Sequence, residues 1–196
     1  FPFLKSFHVS YRLRSGHIWN CCILDRKREI DTIATMEHVY WVWKALLGGR
    51  PGPTRFPWDP KALYEGGVRV VISLATEVEV EDLTPYGLDH YRMDFPPVKL
   101  FSVGMQKAFI YQSLPVWRLI HEQIQAERPT IVHCYAGQDR TGAVLGGYLV
   151  VYQGLTPKAA RETVRRAKPN AMAEEGYAEV LNLLAPHVHP DPRTLL

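Results

Sequence analysis

Strands alternating with helices along 196 residues predict an α/β fold: a mostly parallel central sheet of about four or five strands flanked by helices. Three observations carry that expectation. Val68 to Leu74 is short, β-branched and nearly all apolar, the pattern of a strand buried on both faces. Thr130-Ile131-Val132-His133 is a second short strand of that kind. Capped amphipathic stretches follow these strands, as a helix-covered sheet requires. The length suits one compact domain with a sizeable core.

Residues 1 to about 36 show no clear pattern beyond a candidate strand at Gly16 to Leu24 and a solvated charge run at Asp25 to Glu29. The chain opens on Phe1, as a fragment or processed product would. Tyr40 to Leu47 reads as one strand, broken by Gly48-Gly49-Arg50-Pro51-Gly52-Pro53. Asp59-Pro60 starts a helix, with Asp as N-cap and Pro at the first helical position, and Gly66-Gly67 stops it. Leu88 to Met93 is a further strand. Ser102 caps a helix to about Glu127, with Phe109, Ile110, Leu114, Trp117, Ile120 and Ile124 along one side. Pro115 inside it is expected to kink or split it. Thr141 to Tyr152 is a small-residue-rich helix ended by Gly154, and Thr156-Pro157 opens another that ends before Pro169. A last helix is expected from about Met172 to Ala185.

The hydrophobic share of 46% and charged share of 22% are those of a soluble globular protein. A net charge of +3 suits anionic substrates, and with no basic stripe interleaved with aromatics it argues against nucleic acid. Cys21, Cys22 and Cys134 make an odd count that does not read as a disulfide framework, so a reducing cytoplasm is expected. No apolar run reaches the length of a membrane span, and no signal-peptide pattern opens the chain. His187, His189 and Asp191 have the residue types of a metal site, but Pro186, Pro190 and Pro192 make this a solvated tail. No metal and no cofactor are expected. Trp41, Trp43, Trp58 and Trp117 are assigned to packing rather than to a substrate cleft.

The chemistry concentrates in Ile131-Val132-His133-Cys134-Tyr135-Ala136-Gly137-Gln138-Asp139-Arg140-Thr141-Gly142. A Cys ends an apolar strand, five residues with a central Gly follow, and Arg and Thr open a helix. So tight a loop turns successive backbone N–H groups inward as an anion nest, and the helix aims its positive end at the same point. Both features favour the thiolate of Cys134, the attacking form. Arg140 offers a bidentate fork to two phosphate oxygens, which Lys does not reproduce. Thr141 is expected to donate its hydroxyl to the Cys134 sulfur, and His133 to order the loop by hydrogen bonding. Tyr135, Ala136, Gly137, Gln138 and Asp139 complete the phosphate-binding loop.

This H-C-x5-R-T-G string resembles the signature loop of the protein tyrosine and dual-specificity phosphatases, with most likeness to the small atypical dual-specificity enzymes. Tyr40 to Pro51 is similar to their opening strand and Gly67 to Leu74 to the strand that follows. The resemblance covers about Glu37 to Ala185 and implies a catalytic domain over 37–186, between an N-terminal segment, 1–36, and a tail, 187–196. It also implies a general acid on an upstream loop, an Asp followed by an aromatic and prolines. Asp94-Phe95-Pro96-Pro97 fits, so Asp94 is the candidate, with Asp89 and Asp139 as rivals. Asp139 departs from the common pattern and resembles bacterial loops with an acidic residue before the Arg, some of which accept phosphoinositides. The loop supplies no cation besides Arg140, which favours singly phosphorylated substrates unless Lys99, Arg92 or Arg55 approaches from elsewhere. No Tyr-bearing recognition loop and no water-positioning Gln in Asn170 to Tyr177 are evident, which implies a shallow, permissive pocket.

The expected function is hydrolysis of phosphate monoesters through a phosphocysteine intermediate, as a protein tyrosine or dual-specificity phosphatase acting on phosphorylated proteins. A phosphatase of the same fold acting on phosphoinositides or another small phosphate ester is the alternative within catalysis. A catalytically weak phosphate-binding module is the alternative outside it, although a binder needs neither nucleophile nor acid. A rhodanese would lack the His-Cys…Arg-Thr-Gly frame. The sequence does not specify an oligomeric state.

Overall fold

The structure, a computed structural model, describes residues 36–184. Cys21, Cys22, His187, His189 and Asp191 therefore lie outside the described residues, as do the strand and charge run before Met36.

The chain enters through a hairpin: β1 (Tyr40–Trp43) runs antiparallel to β2 (Leu47–Pro51). Here the single expected strand is corrected to two. The three-residue connection puts Lys44 at φ 45° and Ala45 at φ 52°, both left-handed, and the Leu46 N–H closes the turn on the Trp43 carbonyl at 2.8 Å. Neither residue is the Gly or Asn that usually signals such a turn. Gly48 and Gly49 do not break the strand but sit inside β2. A Cβ on Gly49 would stand 2.9 Å from the Thr141 methyl and overlap the Tyr40 ring.

After the hairpin come α1 (Pro60–Glu65), β3 (Val70–Ala75), a 3₁₀ turn at Thr84–Tyr86 and β4 (Asp89–Phe95). α2 (Val103–Gln125), β5 (Thr130–Cys134), α3 (Asp139–Val151), α4 (Pro157–Ala167) and a short α5 (Tyr177–Val180) complete the core. The five strands lie in the order β1-β2-β5-β3-β4, parallel except at the β1–β2 pair. This is the predicted α/β class, with β5 at the centre of the sheet.

The capping residues act as read. Asp59 accepts from the Lys61 N–H, the Ser102 hydroxyl from the Met105 N–H and the Thr156 hydroxyl from the Ala159 N–H. Pro115 does not split α2, which is continuous over 23 residues. Pro115 and Tyr111, whose carbonyl loses its N–H partner to the proline, both face solvent, so water is at hand for that carbonyl. The expected last helix is also corrected. Residues 168–176 form turns, with Met172 at φ 54° and Gly176 at φ 89°, and regular helix resumes only at Tyr177.

Two apolar cores sandwich the sheet. Val132 and Cys134 of β5 belong to the larger one, with Ile72, Leu74, Trp117, Val144 and Tyr148. Ile131 belongs to the smaller one, with Leu63, Val68, Val71, Leu83 and Leu88. Trp117 is fully buried and donates its indole N–H to the Val144 carbonyl at 2.8 Å, the packing role expected of it. Alternation along β5 thus sends Cys134 toward one face and His133 toward the other.

Candidate active site

Cys134 closes β5 and Asp139 opens α3, so residues 134–140 bridge the carboxyl end of the central strand and the N-terminus of a helix. Ligand sites of open α/β sheets fall at this end. The loop makes its turn at Gly137, φ 65°, where a Cβ would overlap the Arg50 carbonyl group. From below, the Tyr40 hydroxyl donates to the Gly137 carbonyl at 2.7 Å. Burial, with Cys134 and Asp139 nearby, raises that phenol well above its ordinary value, so Tyr40 stays a donor. On the flank, the Gly52 N–H donates to the Tyr135 carbonyl at 3.1 Å, and Met172 N–H to the Gln138 carbonyl at 3.3 Å. The Asp139 carboxylate accepts from the Glu174 N–H at 2.9 Å. Tyr135 is exposed, Ala136 and Gln138 are half-buried, and Gly137 is buried.

Cys134 is 2% exposed and is a free thiol. His133 behind it is fully buried, its Nδ1 3.3 Å from the Cys134 carbonyl and its Nε2 2.5 Å from the Ser73 hydroxyl. Burial pushes the His133 imidazole down to about 3, so the ring is neutral. A neutral ring fits one tautomer here: Nδ1–H donates to the Cys134 carbonyl and Nε2 accepts from Ser73. Ser73 is in turn 2.7 Å from His90 Nε2, which makes a relay behind the nucleophile that ends at half-buried His90. Trp58 packs edge-on to His133, and the Arg50 guanidinium lies 4.7 Å from the Trp58 ring centre.

Arg140, 7% exposed, is held by a residue that the sequence reading missed. Both terminal nitrogens donate to the Glu77 carboxylate, Nη1 at 3.0 Å, and Nη1 donates also to the Phe95 carbonyl at 3.0 Å. A guanidinium has five N–H donors in a fixed fork, and these three bonds occupy the Nη1–Nη2 end and the far side of Nη1. The Nε–H and the second Nη2–H share the remaining edge. Burial pulls the Arg140 guanidinium down, but Glu77 and Cys134 more than restore it, leaving it raised. The Arg140 hydrogen bond holds the Glu77 carboxyl below its ordinary value. Glu77 stands in the acidic alternation Glu77-Val78-Glu79-Val80-Glu81, where nothing local marks it. Its place just past the end of β3 is the one signal that pointed to it.

The other expected residues divide. Asp94 lies at the site end of β4, adjacent to the Phe95 carbonyl that Arg140 grips. It is exposed, with Oδ1 bound by Arg92 Nε at 2.9 Å. Arg92 further donates to the Ala75, Thr76 and Val78 carbonyls, tying Asp94 to the loop that carries Glu77. Asp89 opens β4 at the opposite end, about 16 Å away by strand rise, and pairs with Arg128 at 2.7 Å. Thr141 does not make the bond expected of it. Its Oγ1 is buried with no hydrogen-bond partner among the described residues, and the side chain turns its methyl against Gly49 in β2. Among the described residues no group of three or more His, Cys, Asp or Glu gathers as a metal site, and no helix is long and apolar enough to cross a membrane.

Known proteins of similar sequence and shape agree with this geometry. The family model described as "Polymorphic toxin system, DSP-PTPase phosphatase" matches residues 53–154. Phosphatidylglycerophosphate phosphatase PTPMT1 of Arabidopsis thaliana is 31% identical over 152 residues, covering 70% of this chain and 42% of that protein. Tyrosine-protein phosphatase cdcA of Emericella nidulans is 31% identical over 105 residues, covering 53% of this chain and 16% of that protein. The chain thus spans less than half the length of either relative. In shape it is similar to Tk-PTP in its active form (TM-score 0.60, 21% identity, 74% of this chain and 95% of that one). It is similar also to human DUSP28 (TM-score 0.60, 18% identity, 74% and 90%). These likenesses show the fold, and the family match shows the kinship: the chain belongs to the DSP-PTPase family of phosphatases.

Proposed function

We propose that this protein hydrolyses phosphate monoesters through a phosphocysteine intermediate, as a protein tyrosine or dual-specificity phosphatase. The observation that carries the reading is the state of Arg140. One edge of its fork is docked on Glu77 and Phe95, and the other edge is left for two phosphate oxygens.

The phosphate enters the nest of loop amides over residues 135–140, at the positive end of α3. The Cys134 thiolate attacks phosphorus, and the S–P bond forms as the bond to the ester oxygen breaks. Asp94 gives that oxygen its proton. Water then attacks the phosphocysteine, Asp94 takes a proton from it, the S–P bond breaks, and phosphate leaves. Arg140 and the amides stabilise the charge on the equatorial oxygens in both steps. His133 fixes the Cys134 carbonyl and moves no proton. A reducing compartment, the cytoplasm, keeps Cys134 free for this chemistry.

The test is turnover of an aryl phosphate by purified protein in strong chelator. Hydrolysis should persist without added metal, be blocked by vanadate as a mimic of the five-coordinate transition state, and vanish in Cys134→Ser. Activity that needs a divalent ion, or that survives in Cys134→Ser, would refute the mechanism.

A further inference from the structure

Several cations lie around the loop, and they differ in exposure and in what their donors hold. Arg92 is spent on Asp94 and three carbonyls. Lys99 is 3.2 Å from the Glu174 carboxylate. Arg50 is buried, with Nη2 donating to the Phe56 carbonyl, Nε and Nη1 without a partner among the described residues, and the guanidinium closed in against Trp58 on the His133 side, so it is not exposed to a ligand at the loop. Arg55 differs from all three. It is exposed, in the turn after β2 whose Gly52 N–H is bonded to Tyr135, the residue that follows Cys134. Its guanidinium stands 5.9 Å from the Tyr135 ring centre and 5.8 Å from that of Phe56. Among the described residues its side chain has no hydrogen-bond or ion-pair partner. Two rings therefore place the cation beside the mouth without using its donors, and a guanidinium with free donors is a bidentate receptor for a second oxyanion.

We propose that Arg55 is a second anion subsite, and that among small phosphate monoesters this site prefers those carrying a further phosphoryl group. The proposal rests on the phosphatase reading only for which group enters the Cys134 loop. Proximity selects the ligand class. Arg55 flanks the first residue of the loop, so the second charge must lie close to the first, as on one polyol. In a phosphopeptide the phosphate projects a full side chain beyond the backbone, which holds flanking carboxylates back from the rim. A free bisphosphate and a lipid headgroup share the required chemistry. This reverses the expectation, drawn from the loop alone, of singly phosphorylated substrates.

Binding to Cys134→Ser protein tests the proposal without requiring turnover. Calorimetry should find propane-1,3-diol bisphosphate bound about tenfold more tightly than propyl phosphate at low salt, within the range of one charge-assisted contact. Arg55→Ala should reduce that ratio to about twofold or less. Arg55→Lys should keep part of it, and Lys61→Ala, off the rim, all of it. The ratio should shrink as salt rises. Phosphatidylcholine vesicles carrying phosphatidylglycerophosphate, compared with vesicles carrying phosphatidic acid, identify the source. An Arg55-dependent preference there points to the headgroup, and a preference confined to the soluble pair points to a free bisphosphate. Equal affinities for the soluble pair, a ratio untouched by Arg55→Ala, or a ratio seen only with acidic phosphopeptides would overturn the proposal. If the ratio holds while wild-type protein hydrolyses no phosphate ester, the subsite stands and the catalytic reading falls.

Discussion

The floor of the site and its rim are built by opposite means. On the floor, Cys134, His133 and Arg140 are themselves nearly withdrawn from water: Cys134 packs in the apolar core, His133 bonds to buried Ser73 and through it meets half-buried His90, and Arg140 is held by the Phe95 carbonyl and by Glu77, which reaches it from the exposed side. On the rim, Asp94, Arg92, Lys99 and Glu174 are exposed and held by ion pairs across neighbouring loops. Exposed pairs contribute little to stability and are screened by salt, whereas a half-satisfied buried charge is severely destabilising. The difference teaches a division of labour. On the proposed mechanism the phosphate meets buried groups fixed by packing and hydrogen bonds, while the leaving group and the rest of the substrate meet exposed ones.

The largest effect tests whether the exposed rim carries chemistry at all. Asp94→Asn should lower kcat by about 10²–10⁴-fold on an alkyl phosphate, whose leaving oxygen needs a proton. The loss should shrink on an aryl phosphate that departs as a stable anion. An equal loss on both substrates would make Asp94 a structural anchor for Arg92 rather than an acid.

Next comes the partner that sets the floor. In Glu77→Gln the buried Arg140 loses its counter-charge, and its free edge is no longer aimed. A misplaced catalytic group of this kind costs about 10²-fold, so kcat/KM should fall by that order on alkyl and aryl phosphates alike. A KM-only change would show that Glu77 merely tunes the entrance.

These two residues also show what a sequence can and cannot disclose. Cys134, Arg140 and the loop between them are contiguous, and their strand–loop–helix context makes the nest legible at once. The aromatic and proline neighbours of Asp94 mark it as the candidate acid, and the fold sets it beside the Phe95 carbonyl that Arg140 holds. Glu77 carries no such mark, because it meets Arg140 across 63 residues of chain and resembles Glu79 and Glu81 in every local respect. The fold divides along the same line. Caps and buried parallel strands are local patterns and were read correctly. The β1–β2 hairpin turns on two residues without the usual turn chemistry, and the stretch after Lys168 takes its shape from contacts with Gln138 and Asp139. Thr141 shows the same limit in the site itself, where the methyl packs against β2 and the hydroxyl does not meet its expected partner.

A smaller effect reads the floor through pH. His133 is held at about 3 by burial, below the ordinary histidine value of roughly 6.5. Between those values the unfolded chain binds a proton that the native state refuses, so stability rises with pH and is lost as pH falls. The slope from this one group is up to about 1.4 kcal/mol per pH unit. Denaturation midpoints between about pH 6.5 and 4 should flatten in His133→Gln by most of that slope. An unchanged slope would assign the acid sensitivity to carboxylates instead.

The smallest effect is expected at Asp139, and it decides which carboxylate belongs to which region. Asp139 stands inside the phosphate loop by sequence, yet its bond to the Glu174 N–H ties α3 to the wall beside Lys99, as a rim residue does. Asparagine keeps an acceptor oxygen for that N–H and removes only the charge. Loss of an anion at a helix N-terminus costs about 0.3–1 kcal/mol, so Asp139→Asn should be nearly as stable as the parent. It should also bind phosphate slightly better, because a negative charge beside the nest opposes the incoming dianion. We therefore expect kcat on alkyl phosphates within about threefold of wild type, well short of the loss from removing a general acid, with KM unchanged or lower. Asp139→Ala, which deletes the acceptor as well, should be less stable by about 1 kcal/mol, the size of a lost cap. A collapse of alkyl phosphate turnover in Asp139→Asn beside a nearly silent Asp94→Asn would reverse the assignment. The proton donor would then belong to the rigid floor, and the rim would be left with recognition alone.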